Sequence, residues 1–396
     1  MVTDSGLVYA VWELTLRCDL SCGHCGSRAG KARADELSTA EALDVVRQLA
    51  EMRAMEVTLI GGEAYLRDDW HVIAKAIRDA GMKCTMTTGG RGLTRERARI
   101  AKDAGIQGVS VSIDGLEQTH DKQRGVKGSF RAALAAVENV HAEGMQTAVN
   151  TQINRLSYPE LDDLFELLVT RGVRAWQVQL TVAMGRAVDH ADWLLQPYEL
   201  IEVMPKLAEI AKRGPPRGLH LWPGNNVGYF GPHESVLRRN RVDGHAKGCG
   251  AGKSTLGIEA DGAIKGCPSL PTRDYKGGSV RELSVREIWD TTKELRFTRD
   301  RTTADLWGYC KTCYYADVCR AGCTWTAHVL FGKPGNNPYC HHRALELDAR
   351  GLRERIVKRE QAPGDPFDYG RFELVVEPRD SADDGAKPRK RLPLLG

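Results

Sequence analysis

Cys18-x3-Cys22-x2-Cys25 directly follow a β-rich run, and three thiolates in one loop can hold three irons of a 4Fe-4S cluster while the fourth iron stays open to another ligand. An open iron is a catalytic feature. A three-cysteine zinc site completed by His24 is the alternative, but His24 directly precedes Cys25, and adjacent ligands fit awkwardly on one tetrahedral metal. A second field, Cys249, Cys267, Cys310, Cys313, Cys319, Cys323 and Cys340, lies far down the chain, while Cys84 sits inside an expected strand as a small buried hydrophobe. Together these are all eleven cysteines of the 396 residues. The first residues, Met1-Val2-Thr3-Asp4-Ser5-Gly6, lack the basic region and apolar core of a signal peptide, so the thiols are expected to stay reduced and to bind metal rather than form disulfides.

With 56 basic and 52 acidic residues the net charge is only +4, which lacks the electrostatic footprint of a protein that coats nucleic acid. No stretch approaches the roughly eighteen apolar residues of a membrane span. A soluble cytoplasmic protein is expected.

The elements that must position the cysteines can be read from periodicity. Six candidate strands, Val8 to Leu16, Glu56 to Ile60, Lys83 to Thr87, Gln107 to Ile113, Gln146 to Ile153 and Ala175 to Thr181, alternate with helical patterns. Ser38 with Glu41 and Ser157 with Glu160 fit capping boxes, and Gly81, Gly105, Gly144 and Gly172 stand where helices stop. Such β-α alternation predicts a parallel sheet, either doubly wound or an incomplete barrel, with chemistry at the C-terminal strand ends. A further helix is expected over Tyr198 to Arg213, and Gly214-Pro215-Pro216-Arg217-Gly218 marks a domain boundary. Beyond it lies a Gly-, Pro- and aromatic-rich region that metal clusters would help to fold. The segment from Trp222 to Phe230 reads as aromatic packing between the domains. A charged helix is expected from His342 to Glu360, then a tail with a strand-like Arg371 to Val376 and a solvated basic run from Lys387 to Arg391. Gly248 to Ser254 falls one residue short of a phosphate-binding loop.

The early cysteine spacing after the first strand resembles the radical S-adenosylmethionine (SAM) superfamily, and further residues agree with it. Gly61-Gly62-Glu63 at the end of the second strand looks like the family's GGE element, in which glycines let the backbone approach the methionyl group and Glu63 accepts a bond from its ammonium. Thr88, Ser112 and Asp114 end the third and fourth strands where the family contacts the ribose and carboxylate of SAM. Arg124, in Asp121-x2-Arg124-Gly125, would be a bidentate partner of that carboxylate. Ala64 stands where the family usually has Pro, and Thr88 where Asn is common; neither change removes a ligand. The resemblance implies a partial (βα)6 barrel of the TIM type and reductive cleavage of SAM to a 5'-deoxyadenosyl radical.

The late cysteines are similar, one for one, to the seven-cysteine SPASM domain appended to one branch of these enzymes, and Asp261-Gly262 reads as the tight turn presenting Cys267. That resemblance implies two auxiliary 4Fe-4S clusters, hence three clusters and about twelve irons in all. Cys310, Cys313, Cys319 and Cys340 would close the distal one. Cys249, Cys267 and Cys323 would hold the proximal one with three ligands, because Ala251, Lys253, Ser254 and Thr255 occupy the stretch where relatives add a cysteine. Its fourth iron would stay open to a substrate heteroatom or to a ligand such as His245. His341 and His342 are expected beside the cluster rather than on it. The expected domains are a barrel over 8–215, a SPASM domain over 216–345 and a helix and tail over 346–396.

The function so implied is a radical SAM oxidoreductase that takes hydrogen from a C-H bond, with a ribosomally made peptide as substrate, oxidised or cross-linked. Oxidation of a small metabolite, sulfatase maturation and a non-catalytic metal-binding protein are the alternatives; Pro268 replaces the aspartate that sulfatase-maturing enzymes carry after the second SPASM cysteine. Only seventeen residues precede Cys18, so a separate leader-peptide-binding protein is an expected partner, along with a reductase or flavodoxin-type electron donor. The sequence names no catalytic acid or base.

Overall fold

The computed structural model describes residues 6–238 and 248–381. His245 and the basic run Lys387 to Arg391 lie outside the described residues. Six parallel strands, β1 (Tyr9–Glu13), β2 (Glu56–Ile60), β3 (Lys83–Thr88), β4 (Gly108–Ser112), β5 (Gln146–Ile153) and β6 (Ala175–Leu180), pair in chain order. All six match the sequence expectation, because each alternates a side chain packed on the outer helices with one facing the lumen. In β3, Cys84, Met86 and Thr88 are buried while Lys83, Thr85 and Thr87 are half-buried.

The helix Thr39–Glu51 starts as its sequence predicts: Ser38 Oγ accepts from the Glu41 N-H, and the Glu41 carboxylate accepts from the Ser38 N-H at 2.8 Å. Its Ala42, Val45, Val46 and Leu49 are buried against the sheet. Gly81, Gly105, Gly144 and Gly172 follow their helices with φ between 69° and 87°, as C-terminal caps require. The second capping box does not form. Pro159 tightens the first turn into a 3-10 helix, Tyr158–Glu160, and Glu160 instead accepts from the Leu116 N-H at 2.7 Å and the Thr119 hydroxyl at 2.6 Å.

The sheet extends beyond the six strands on both edges. A seventh, β7 (His220–Pro223), pairs parallel to β6; at four residues beside a Gly-Pro break it gave no periodic signal. On the opposite edge β8 (Thr255–Ile258) pairs parallel to β1 and turns back through Asp261-Gly262 into β9 (Ala263–Lys265), which pairs with β10 (Gly278–Ser279). Gly262 has φ +86°, and the Ala263 N-H donates to Asp261 Oδ1 at 3.0 Å, so the expected hairpin is present two residues before Cys267. Gly250 O collects the N-H groups of Lys253, Ser254 and Thr255, making the Gly248 to Ser254 segment a tight turn that feeds β8.

A buried ionic cluster closes the joint between β1 and the β8–β9 hairpin. Lys265 Nζ lies 2.5 Å from Glu259 and donates to Leu270 O at 2.7 Å, while Arg33 spans Glu13 and Glu259 at 3.2 and 3.3 Å.

The long C-terminal helix is corrected. The helix is His341–Ala349, Gly351 then takes φ +71°, and β11 (Leu352–Glu360) pairs antiparallel with β12 (Arg371–Pro378). The charges in Leu352 to Glu360 pair across this hairpin, Arg353 with Glu377 at 2.8 Å and Arg355 with Glu377 at 3.4 Å, and Arg353 and Ile356 are buried. Between the two strands Asp368 is tied to Arg28 at 2.8 Å, three residues past Cys25. Among the described residues no helix is long and apolar enough to cross a membrane.

Candidate active site

The loop after β1 is shaped by its neighbours. The N-H groups of Gly62 and Glu63 donate to Thr15 O and Arg17 O, both at 2.8 Å, which extends the β1–β2 ladder to the residue before Cys18. A Cβ at Gly61 would overlap Thr15 O, and one at Gly62 would overlap Arg17 O. These glycines are therefore needed for the close approach of two protein backbones, a use their sequence context did not distinguish from contact with a ligand. On the far side Ser21 N-H donates to Arg124 O at 3.1 Å and Gly23 N-H to Gln123 O at 2.8 Å. Arg186 Nε donates to Cys22 O at 2.7 Å.

Cys18, Cys22 and Cys25 meet Gly61, Gly62, Glu63, Thr88, Ser112, Asp114 and Arg124 around one cavity of about 260 Å³. Every residue that the sequence assigned to the first cluster and to SAM thus faces the same space. Asn150, Gln152 and Gln179 also line it; they were missed, although polar residues on alternate positions near the C-terminal ends of β5 and β6 were a readable signal.

Burial sets the electrostatics of this cavity. Glu63 accepts from the Thr88 hydroxyl at 2.5 Å and the Gly89 N-H at 2.6 Å, yet removal from water still raises its pKa to about 7. Burial likewise pushes the Cys18 thiol up to about 12 and the Cys22 thiol to about 11, the latter against the pull of Arg124. Buried thiols of this kind become good ligands when a cation offsets the desolvation of the thiolate.

Asp114 is fully buried and pairs with Arg124 Nη2 at 2.5 Å and His24 Nε2 at 3.2 Å. Burial disfavours its charge, but the two partners outweigh that cost and hold the carboxyl well below the usual aspartate range. Arg124 Nη1 lies 3.7 Å from Cys22 Sγ, and its buried Nε has no partner among the described residues. Asp121, by contrast, accepts from Gly128 N-H, Ser129 Oγ and Phe130 N-H and caps the helix Ser129–Ala142.

The late cysteines form two further groups. Cys310, Cys313, Cys319 and Cys340 line one small chamber with Tyr229, Phe230, Tyr315, His342 and Arg343. Cys249 and Cys267 pack on Ala251, Leu270 and Tyr275, and the Cys267 thiol is pushed up to about 12 by burial, with Cys249 and Cys323 adding to it. Four soft donors around one chamber and a neighbouring group of three, Cys249, Cys267 and Cys323, fit iron-sulfur clusters. All eleven cysteines are free of disulfides.

Residues 12–168 match the radical SAM superfamily model, and residues 249–314 match the SPASM iron-sulfur cluster-binding domain. The AdoMet-dependent heme synthase of Methanosarcina barkeri is 31% identical over 339 residues, covering 84% of this chain and 95% of the relative. The mycofactocin maturase MftC of Mycolicibacterium smegmatis is 29% identical over 338 residues, 83% of this chain and 81% of the relative. In fold, the chain resembles Streptococcus suis SuiB bound to S-adenosylmethionine, with a TM-score of 0.65, 15% identity and coverage of 84% of this chain and 76% of SuiB. The chain belongs to the radical SAM superfamily, in the branch that carries a SPASM domain. It is an enzyme of the class that uses SAM and 4Fe-4S clusters.

Proposed function

We propose that this enzyme removes hydrogen from an unactivated C-H bond of a ribosomally made peptide and passes the second electron of the oxidation to auxiliary clusters. The observation that carries this reading is the convergence of three cysteines and seven candidate SAM contacts on one cavity.

In this reading Cys18, Cys22 and Cys25 hold the SAM cluster, Cys310, Cys313, Cys319 and Cys340 the distal cluster, and Cys249, Cys267 and Cys323 the proximal one with an open iron. When bound, SAM and its cluster supply the radical that takes the hydrogen. The chain's residues orient and shield. Glu63 receives the methionyl ammonium while Thr88 fixes its carboxylate. Asp114 and His24 hold Arg124 beside Cys22, leaving Arg124 Nε to meet the methionyl carboxylate. Ser112 faces the cavity from the end of β4. The barrel over 8–215 would then hold the SAM site and the SPASM region over 216–345 the auxiliary clusters, although β7 and β8 knit both into one sheet.

Two observations favour a peptide. The mycofactocin maturase is a relative over most of its length. The cavity also shares Thr87 and Asn150 with a polar hollow of about 700 Å³ in the barrel lumen, whose lining includes Thr58, Thr85, Ser110 and Gln177. Glu56, Lys83 and Arg174 stand among these hydrogen-bonding walls, which suit a polar chain better than an apolar ring. A tetrapyrrole is the second reading, supported by the 31% identity to a heme synthase. Sulfatase maturation stays disfavoured, since Pro268 packs against Gly257 and offers no carboxylate.

The test is anaerobic turnover of reconstituted protein with SAM, reductant and deuterated substrate, using a precursor peptide encoded beside its gene and, separately, iron coproporphyrin III. Deuterium is expected in 5'-deoxyadenosine from the peptide. Transfer from the porphyrin alone would replace the peptide reading.

Glu63 provides a second prediction. With its pKa raised to about 7, the carboxylate that would hold the ammonium is lost by protonation as pH falls. The dissociation constant of SAM, measured on the reconstituted protein, should therefore weaken by up to about tenfold per pH unit below about 7. Glu63→Gln should bind weakly with no such slope.

A further inference from the structure

The segment Trp222 to Phe230 does more than pack between domains, because one of its residues touches both auxiliary cysteine groups. Tyr229 is buried with φ +121°, and Phe230 follows with φ +52°. Non-glycine residues keep such backbone only where their surroundings over-determine it. Here the Tyr229 carbonyl accepts from the His342 N-H at 3.2 Å and lies 3.7 Å from Cys340 Sγ, so the backbone walls the four-cysteine chamber. Phe230 stacks on Tyr315 in the same wall, with ring centroids 4.3 Å apart. The other end of the residue reaches the three-cysteine group. The Tyr229 hydroxyl accepts from the Cys323 N-H at 3.0 Å and donates to Asn225 O.

The chain that crosses between the groups is equally constrained. Cys319 belongs to one and Cys323 to the other, and the three residues between them, Arg320, Ala321 and Gly322, have φ of 47°, 62° and 58°. A Cβ on Gly322 would lie 2.6 Å from Tyr229 Cζ, so the ring lies directly against this crossing. Crossing and tyrosine lock one another.

We propose that Tyr229 is a positioning residue that links the two auxiliary sites: its backbone closes one, and its hydroxyl holds the Cys323 amide away from the sulfurs of the other. Electrons exchanged between the sites then pass a fixed side chain, and the proximal site keeps a lower potential than it would with that amide released. This rests on the reading that both groups hold 4Fe-4S clusters. The direction follows from chemistry: hydrogen bonds to cluster sulfurs tune reduction potential, and an N-H aimed at them favours the more negative, reduced state. Cys323 Sγ already receives the N-H groups of Trp325 and Thr326, whereas its own N-H is taken by the phenol oxygen.

The experiment is an EPR-monitored redox titration, with iron counts, of the full reconstituted chain and its Tyr229→Phe variant, which keeps the ring against Gly322 and removes only the hydroxyl. Tyr229→Phe is expected to retain the wild-type iron content of about twelve per chain and to raise the midpoint potential of the three-cysteine cluster while leaving the four-cysteine cluster in place. Unchanged potentials would overturn the proposal. Loss of iron from Tyr229→Phe would also overturn it, since the hydroxyl would then be needed for assembly rather than tuning. A wild-type chain that binds only about eight irons would overturn the two-cluster reading beneath it, and is told apart by the wild-type count alone.

Discussion

Cys22→Ala is expected to reduce 5'-deoxyadenosine formation from SAM to the level of a protein-free control and to lower iron content by about four per chain. Cys22 is the most enclosed cysteine of the early loop, 7% exposed, with Arg124 3.7 Å from its sulfur and its carbonyl held by Arg186. Neither neighbour can replace a thiolate ligand, and a cationic guanidinium beside the gap would repel a metal. Cys84→Ala is the control: that thiol is buried in β3 with its side chain turned to the outer helices, so iron and SAM cleavage should persist with only a modest loss of stability. Parallel iron assays and product chromatography on both variants decide the point. Iron content unchanged in Cys22→Ala would remove this cysteine from the ligand set.

Asp114→Ala is expected to destabilise the chain by about 3–5 kcal/mol, because it leaves Arg124 and His24 as buried groups without their common acceptor. The Gln152 N-H, which donates to Asp114 Oδ1 at 2.8 Å, would lose its partner as well. Chemical denaturation measures the loss. The pH dependence has a definite sign: the folded pKa of Asp114 lies below its ordinary value, so its contribution is complete above the unfolded aspartate pKa of about 3.9 and fades as pH falls through the folded value. Acid sensitivity in that range should shrink in the variant. An unchanged denaturation midpoint would mean that the buried pair contributes nothing net.

These two residues also mark how far the sequence could be read. Cys22 was identifiable because ligand type and spacing are local properties of the chain. The six barrel strands were legible for a related reason, as two-residue alternation survives wherever a strand separates a helical layer from a lumen. Asp114 and Arg124 were both placed at the site, but their pairing with each other and with His24 depends on a fold that brings the loop after β1 against the helix Glu117–Arg124. No local pattern carries that information. The same applies to Gly61 and Gly62, whose close neighbours are backbone carbonyls some forty-five residues earlier in the chain. Where the reading failed, competing signals explain it. The charges of Leu352 to Glu360 fit a helix by propensity, while the β-branched Ile356 and Val357 suit a strand, and pairing with Arg371–Pro378 decided for the strand. β7 was too short to show a period.

The pairing of β1 with β8 has a consequence for how the protein is made. Tyr9 lies beside Thr255, so one edge of the first strand completed on the ribosome stays uncovered until the hairpin that precedes Cys267 has emerged. At translation rates of roughly 5–20 residues per second, that interval is on the order of 10–50 s. Throughout it the barrel presents an unsatisfied strand edge and a cysteine loop whose outer support, including the Arg28 to Asp368 contact, is still unsynthesised. Maturation of the early cysteine site is thereby ordered after synthesis of nearly the whole chain, and truncated products should be prone to aggregate through β1 rather than persist as a partly loaded barrel.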